Sequence, residues 1–283
     1  MPHLRDAAKP LLARWRRTAW LPTLEAPARL GTGAWLRVVL PELVATDLWC
    51  DGAIEPALTG LFRSVLRPGG VFIDVGAHYG YHSVLASDLV GPSGSVVAFE
   101  PNRRTFSVLV ANVASRPNVR AEEVALDDAE GEAALQDYGP RHSSLCTLLP
   151  EARVPAAERA SLRAVTAIVR TTTLDAYVEA RGLRPDVVKI DAEGAELAIL
   201  RGAARVLERD RPVVTIETGD YDSPGAPPSA LAVRFLEERG YGAYDLRVDG
   251  VSPHARMERY AYDNLAFIHR SASREGPVPP DSP

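Results

Sequence analysis

The stretch VFIDVGAHYGYHS, residues 71–83, combines a short apolar run, an acidic residue and two closely spaced glycines. The apolar run predicts a buried strand that ends near Asp74, and the pattern after Gly80 predicts a helix. Ligands of open α/β sheets bind outside the carboxyl ends of the strands, where Asp74 lies. Gly76 and Gly80 allow a tight turn and a close approach of the backbone to a ligand. The stretch therefore predicts the ligand-binding edge of an α/β sheet.

Similar apolar runs recur along the chain and alternate with helical patterns. Further strands are predicted at 94–100, 119–126, 186–191 and 212–217, and a closing antiparallel pair at 241–248 and 262–270. Helices are predicted at 53–66, 80–90, 102–115, 172–182, 194–208 and 229–239. Continuous apolar strands that alternate with helices are typical of a mainly parallel sheet with helices on both faces. The predicted fold class is therefore α/β, with a less regular region at 127–170.

The composition excludes several classes of protein. The 283 residues are 46% hydrophobic and carry a net charge of -5, which does not suggest a nucleic-acid surface. No uninterrupted apolar run approaches the length of a membrane span, and no signal peptide is recognisable. Two distant cysteines, Cys50 and Cys146, fit a reduced protein better than a disulfide scaffold. We therefore expect a cytoplasmic protein that binds neither nucleic acid nor membrane.

The chain divides into three predicted regions. Residues 1–52 contain all four tryptophans and form a helical, aromatic extension, which we expect to be a lid or a homodimer contact over the acceptor pocket. Residues 53–270 carry the alternating strands and helices. Residues 271–283 are polar and rich in proline, which predicts a disordered tail.

The acids at successive strand ends suggest which ligand binds. The spacing of Gly76 and Gly80 is not the G-x-G-x-x-G dinucleotide fingerprint, and Asp74 would repel a pyrophosphate. A ligand with an ammonium and a sulfonium group tolerates this acid, which points to S-adenosylmethionine (SAM). Glu100, at the end of the next strand, is expected to accept the ribose hydroxyls, a role that suits SAM and NAD alike. The other predicted cofactor contacts are Ala77, His78, Tyr81, Ser83, Asn102, Ala125 and Leu126.

Several motifs resemble the FkbM family of SAM-dependent methyltransferases. They are FIDVGAHYGYHS, FEPN, VALDDAEG, SSL at 143–145, TTLDAYV, VVKIDAEGAELAILRGA and VVTIE, and KIDAEGAE is the most specific. The resemblance covers about residues 55–270. It implies a seven-stranded class I methyltransferase sheet with the last strand antiparallel. It also implies methyl transfer from SAM, usually to a hydroxyl of a sugar or natural product. His78 departs from the family, which commonly has Asn there, and His82 stands where an aromatic residue is common.

Methyl transfer to a hydroxyl requires alignment of the nucleophile and a general base. Asp191 ends the fourth strand beside the expected methyl group, and Glu217 ends the fifth strand and faces the same cleft. His142 precedes the SSL motif and is a third catalytic candidate, because histidine titrates near neutral pH. Glu193, at the start of a helix, is expected to cap that helix. No spacing of ligands predicts a metal site.

The leading interpretation is O-methylation of a small molecule, such as an antibiotic or another product of secondary metabolism. N- or C-methylation keeps the cofactor and changes the acceptor atom. A nicotinamide-dependent oxidoreductase and a non-catalytic SAM-binding partner protein are the alternatives from other classes.

Overall fold

The computed structural model describes residues 2–18, 21–151, 153–154, 159–160, 162–220 and 225–271. The predicted tail at 271–283 lies, apart from its first residue, outside the described residues. The strands are β1 (Leu24–Arg29), β2 (Trp35–Leu40), β3 (Val71–Val75), β4 (Ser95–Phe99), β5 (Val119–Glu122), β6 (Ala125–Leu126), β7 (Gly131–Asp137), β8 (Val165–Thr172), β9 (Val187–Ile190), β10 (Val213–Thr218), β11 (Tyr241–Arg247), β12 (Gly250–Pro253) and β13 (Asp263–His269). The helices are α1 (Pro2–Arg16), α2 (Leu43–Asp51), α3 (Pro56–Val65), α4 (Tyr81–Val90), α5 (Arg103–Val113), α6 (Leu174–Arg181), α7 (Glu196–Arg201), α8 (Ala204–Arg209) and α9 (Ser229–Glu237).

A mixed sheet of eight strands, ordered β12-β11-β13-β10-β9-β3-β4-β5, forms the centre of the molecule. Strands β5, β4, β3, β9 and β10 are mutually parallel, and their inner segments are buried because helices cover both faces. The predicted α/β class I methyltransferase sheet is therefore confirmed. Strand β13 runs antiparallel between β10 and β11 instead of along an edge, and the short hairpin strand β12 adds an eighth strand.

The region after β4 departs from the predicted strand pattern. The single strand predicted at 119–126 is two strands, of which β5 pairs with β4 and β6 pairs with β8 in a separate sheet of order β6-β8-β7. In VRAEEVAL the alternation of apolar and polar residues stops at Glu122 and Glu123, which is where the two strands separate. The region predicted to be irregular also contains β7 and β8, which form a seven-residue antiparallel pairing.

The helix predicted at 194–208 is two helices, α7 and α8. Gly202 lies at the break, where a Cβ atom would lie 2.1 Å from the carbonyl oxygen of Asp127. The chain after β6 therefore passes directly against the backbone at Gly202, a contact that only glycine permits.

The sequence predicts a helical N-terminal region, but the structure also contains the β1–β2 hairpin between α1 and α2. The hairpin alternates buried and exposed residues, as expected of a sheet with one packed face. Its buried side chains, among them Leu36 and Val38, join one apolar cluster with Ala98 and Leu109 of the main domain. Asn112 on α5 adds a polar link: it accepts a hydrogen bond from Arg37 N at 2.7 Å and donates to Arg37 O at 2.9 Å.

No helix within the described ranges is both long enough and apolar enough to cross a membrane.

Candidate active site

The loop after β3 lies against the end of β9. Gly76 has φ of 73°, and a Cβ atom there would lie 1.8 Å from the carbonyl oxygen of Asp191. Gly80 has φ of 87° and precedes α4, with its α-carbon packed against Leu109. The two glycines therefore permit the turn, as the sequence predicts, and Gly76 also brings two strand ends together.

Glu100, which follows β4, is the predicted ribose acceptor. It is 6% exposed, and its carboxylate oxygens accept hydrogen bonds from His78 N at 3.0 Å and from Asn102 N at 2.8 Å. Burial raises the pKa of Glu100 to about 7, although these two hydrogen bonds lower it. The carboxylate therefore bridges the loops that follow β3 and β4.

Asp74 does not lie on the cavity surface, contrary to the sequence-based expectation. It is fully buried, accepts a hydrogen bond from Ser83 Oγ at 2.6 Å, and lies 3.4 Å from Lys189 Nζ. The parallel register of β3 and β9 places Asp74 opposite Lys189, so the pairing follows from the sheet itself. Lys189 Nζ also donates to Asp191 Oδ2 at 3.1 Å. The charge of Asp74 is therefore matched by a lysine rather than presented to a ligand.

A cavity of about 560 Å³ opens at the carboxyl ends of β3, β4, β9 and β10. Nine of the predicted site residues line it: Gly76, Ala77, His78, Tyr81, Glu100, Ala125, Leu126, Asp191 and Glu217. Five others do not line the cavity that the described residues form: Asp74, Gly80, Ser83, Asn102 and His142. The predicted site residues therefore fall into two groups, those that line the cavity and those that lie behind its wall, and the sequence does not distinguish the two groups.

The five residues behind the wall have contacts of their own. Ser83 donates its hydroxyl to Asp74, and Asn102 caps α5 by accepting from Arg104 N at 3.1 Å and Thr105 N at 3.3 Å. His142 precedes the 3-10 turn Ser143–Leu145, and burial lowers its pKa. These residues shape the loops around the cavity.

An acidic cluster occupies the part of the cavity between β9 and β10. Burial, followed by the nearby charge of Asp191, raises the pKa of both Glu193 and Glu217 well above the usual range. Glu217 is 4% exposed and accepts a hydrogen bond from the hydroxyl of Tyr262. Within the described part of the chain, no three His, Cys, Asp or Glu side chains are arranged to hold a metal ion.

Glu193 does not cap α7, which corrects the sequence-based expectation. The structure shows no side-chain cap at the start of α7, whose first residue is Glu196. Oε1 of Glu196 instead fixes the loop before the helix by accepting hydrogen bonds from Gly194 N at 3.0 Å and from Ala192 N at 3.4 Å. Its Oε2 lies 2.9 Å from Arg153 Nη1, in an ion pair whose two side chains are 5% and 6% exposed. Glu193 is consequently left to face the cavity.

Other functional candidates were missed by the sequence analysis. Ser143 Oγ lies 2.8 Å from His78 Nε2 and 3.2 Å from the Tyr79 hydroxyl, so the SSL turn touches the loop after β3. Ser144 Oγ donates at 2.7 Å to Glu42, which is fully buried and also accepts from Ala45 N. The SSL motif was the available signal for these contacts.

Backbone strain concentrates at this cavity. Four non-glycine residues within the described ranges have positive φ, and three of them line the cavity: Glu55 at 45°, His78 at 51° and Glu193 at 48°. Such conformations cost on the order of 1–3 kcal/mol each and are common at functional sites. The strain therefore marks the same region as the buried acids.

No curated protein matches the sequence significantly. A solved structure of methyltransferase FkbM from Methylobacillus flagellatus KT is 16% identical, with a TM-score of 0.43 over 80% of this chain and 54% of that chain. This chain thus spans about half the length of that relative. Aeropyrum pernix fibrillarin, solved with bound SAM, is 14% identical, with a TM-score of 0.39 over 88% of this chain and 98% of that chain.

The O-methyltransferase TomG from Streptomyces achromogenes, solved with SAM and involved in tomaymycin synthesis, is 14% identical, with a TM-score of 0.38 over 77% of this chain and 82% of that chain. The family model that describes the methyltransferase FkbM domain matches residues 74–242, which is more than half of the chain. The chain therefore belongs to the FkbM methyltransferase family, whose cofactor is S-adenosyl-L-methionine.

Proposed function

We propose that this protein transfers the methyl group of SAM to a hydroxyl group of a small-molecule natural product or sugar. The observation that carries the proposal is one continuous cavity that joins the loop after β3 and Glu100 to the acidic cluster around Asp191 and Glu217. Its volume of about 560 Å³ lies within the range of small-molecule sites, about 300–1,000 Å³. SAM, when bound, supplies an electrophilic methyl group on a positively charged sulfur.

The residues near β3 and β4 fit the nucleoside part of SAM. Each oxygen of Glu100 accepts one backbone hydrogen bond, and a carboxylate has about four acceptor positions. Glu100 therefore retains acceptor capacity for both ribose hydroxyls. Ala125 and Leu126 offer an apolar wall suited to an adenine ring. The loop residues Gly76 and Ala77 also line this part of the cavity.

The acidic part of the cavity fits an acceptor hydroxyl. Transfer requires the hydroxyl oxygen to lie in line with the methyl group, with water excluded and a base nearby to take the proton. Asp191 and Glu217 remain candidates for contact with the acceptor because both line the cavity. His142 does not line it, so we assign His142 no contact with the acceptor.

The N-terminal region contributes the remaining wall of the acceptor part. Leu43, Val44, Leu48 and Ile54 line the cavity with apolar side chains, and Glu42 ties this segment to the SSL turn through Ser144. We assign residues 43–56 the role of a cover that excludes water from the acceptor.

Two measurements test the proposal. Isothermal titration calorimetry with SAM, S-adenosylhomocysteine and NAD separately should give binding of the first two compounds only. Mass spectrometry should then detect a gain of one methyl group on a hydroxyl in a panel of methyl glycosides, aminoglycosides and polyketide alcohols. Binding of NAD without binding of SAM would refute the cofactor, and methylation of nitrogen or carbon alone would refute the acceptor group.

A further inference from the structure

Glu55 has an unusual position at the edge of the cavity. It immediately precedes α3, whose first residue is Pro56, and this is where a side chain normally caps a helix. Its φ of 45° is in the left-handed region, which disfavours a glutamate, and its carboxylate makes no capping hydrogen bond. The side chain lines the cavity instead, with 26% of its surface exposed. The local structure of the helix start therefore does not explain this glutamate.

Two side chains from distant parts of the chain lie beside the carboxylate of Glu55, and one of them binds it. Asn264 on β13 donates a short hydrogen bond to Oε1. Nε2 of His82 on α4 lies 3.7 Å from Oε2. The His82 side chain is 5% exposed, and its Nε2 has no hydrogen-bond partner among the described residues. Oε1 is thus fixed, whereas Oε2 accepts no hydrogen bond from the described part of the chain and remains available to a ligand.

The charged groups around Glu55 favour a carboxyl that exchanges its proton near neutral pH. Burial raises its pKa to about 7; the charges of Asp191 and Asp74 act in the same direction, and Lys189 and the hydrogen bond from Asn264 oppose them. His82 is neutral there, because burial and Lys189 hold its pKa well below the usual range. A general base works best when its pKa lies near the working pH.

The other acids of the cavity are less available for this role. Glu217 accepts a hydrogen bond from Tyr262, and burial and the charge of Asp191 raise its pKa well above the usual range. Oδ2 of Asp191 accepts from Lys189. Burial and the charge of Asp191 raise the pKa of Glu193 in the same way. Glu55 has both an available oxygen and access to the cavity, and its other oxygen is bound by a neutral amide, whereas Asp191 is bound by the ammonium group of Lys189.

We propose that Glu55 is the general base that removes the proton of the acceptor hydroxyl. The inference rests on the proposed function. As the acceptor oxygen forms its bond to the methyl carbon of SAM, its O–H bond breaks and the proton passes to Oε2 of Glu55. The bond between that carbon and the SAM sulfur breaks with its electron pair on sulfur, which leaves neutral S-adenosylhomocysteine. Asn264 positions the base by fixing Oε1.

The test uses two substitutions of Glu55 and one matched control in the full-length protein. Glu55→Gln keeps the shape of the side chain but cannot accept the proton. Glu55→Gly removes the side chain and suits the positive φ, so the backbone is relieved rather than strained. Glu208→Gln changes an exposed glutamate on α8 that does not line the cavity. The probes are SAM and the hydroxyl acceptor of the panel that the wild-type protein methylates fastest.

We expect kcat to fall by about 100- to 10,000-fold in both Glu55 variants, while SAM affinity by calorimetry stays at the wild-type value and the melting temperature does not fall. In the wild-type protein, kcat should rise with pH through about 7, because the base must be deprotonated, and this rise should be absent from the residual activity of Glu55→Gln. The Glu208→Gln variant should behave as wild type throughout.

The outcomes separate the base from the proposed function. If the wild-type protein methylates a hydroxyl and Glu55→Gln does so at a similar rate, Glu55 is not the base and the proposed function stands. If the wild-type protein binds SAM but methylates no hydroxyl in the panel, the proposed function fails and the base assignment fails with it. A drop in melting temperature in both Glu55 variants, with kcat retained, would assign Glu55 a purely structural role.

Discussion

Replacing Glu100 with glutamine tests the cofactor site most directly. Both carboxylate oxygens accept a backbone hydrogen bond, from His78 N and from Asn102 N. The glutamine amide has one acceptor oxygen and one NH2 group, so one backbone donor must face another donor. The variant also loses the charge that is expected to bind the ribose hydroxyls. Glu100→Gln should therefore weaken SAM binding although it alters the shape of the side chain very little.

The magnitude follows from the type of hydrogen bond that is lost. A hydrogen bond to a charged group contributes about 1.5–3 kcal/mol, so loss of one such bond to the ribose raises the Kd for SAM by about 10- to 150-fold. This applies at pH 8, where a carboxyl with a pKa of about 7 is mostly ionised. Below pH 7 the wild-type carboxyl takes up a proton, and the difference between the two proteins should shrink.

The same pKa shift predicts how stability depends on pH. Because the folded protein holds the Glu100 proton more tightly than the unfolded chain, this group stabilises the fold fully below about pH 4.5 and loses that contribution as pH rises through about 7. A shift of this size corresponds to a loss of about 3 kcal/mol. Glu100→Gln removes this dependence, so its stability relative to wild type should improve from pH 5 to pH 8.

Calorimetric titration of SAM at pH 6 and pH 8, with urea unfolding at the same pH values, measures both effects. Glu208→Gln serves as the control because its side chain is exposed and does not line the cavity. A Kd for SAM that is unchanged at pH 8, or that changes by the same factor at both pH values, would refute the assignment of an ionised Glu100 to the ribose.

Three further substitutions have expected outcomes on stability. Asp74→Asn removes the fully buried one of the two carboxylate partners of Lys189 and should lower the free energy of unfolding by about 1.5–3 kcal/mol in urea titrations; a loss confined to SAM binding would contradict this. Glu217→Gln should match wild type at pH 5 and exceed it at pH 8 in melting temperature, because the raised pKa makes ionisation of Glu217 destabilising as pH rises. Gly202→Ala forces a Cβ against the Asp127 carbonyl and should cost about 1–3 kcal/mol by chemical unfolding, whereas an unchanged midpoint would show that the backbone yields.

The sequence predicts the parallel strands well because each is a short apolar run that must be buried on both faces. It also predicts that Glu100 faces the cavity, because Glu100 directly follows one of these runs, at the edge of the sheet where ligands bind. It places Asp74 wrongly, because a side chain within a strand can point to either face of the sheet. The partner of Asp74, Lys189, lies 115 residues further along the chain, and only the register of β3 and β9 brings them together.

Glu55 illustrates a different limit of sequence analysis. A glutamate directly before a proline is typical of a helix start, and the sequence carries no sign that its carboxylate turns away from the helix. Its partners, His82 and Asn264, lie in α4 and β13 and meet only when the sheet is assembled. Sites of this kind depend on contacts across the fold, which local patterns do not encode.

The match to the FkbM family begins at residue 74, after the cavity-lining segment 43–56 that we propose as a cover for the acceptor. Leu43, Leu48, Ile54 and Glu55 all precede it, whereas Glu100 lies within it. The loops that we propose to bind SAM thus fall inside the region that the family model describes, and much of the proposed acceptor wall falls outside it. If these assignments hold, acceptor preference can change through residues 43–56 without disturbing the strand ends around Glu100. Substitutions of these apolar wall residues should alter KM for the acceptor more than the Kd for SAM.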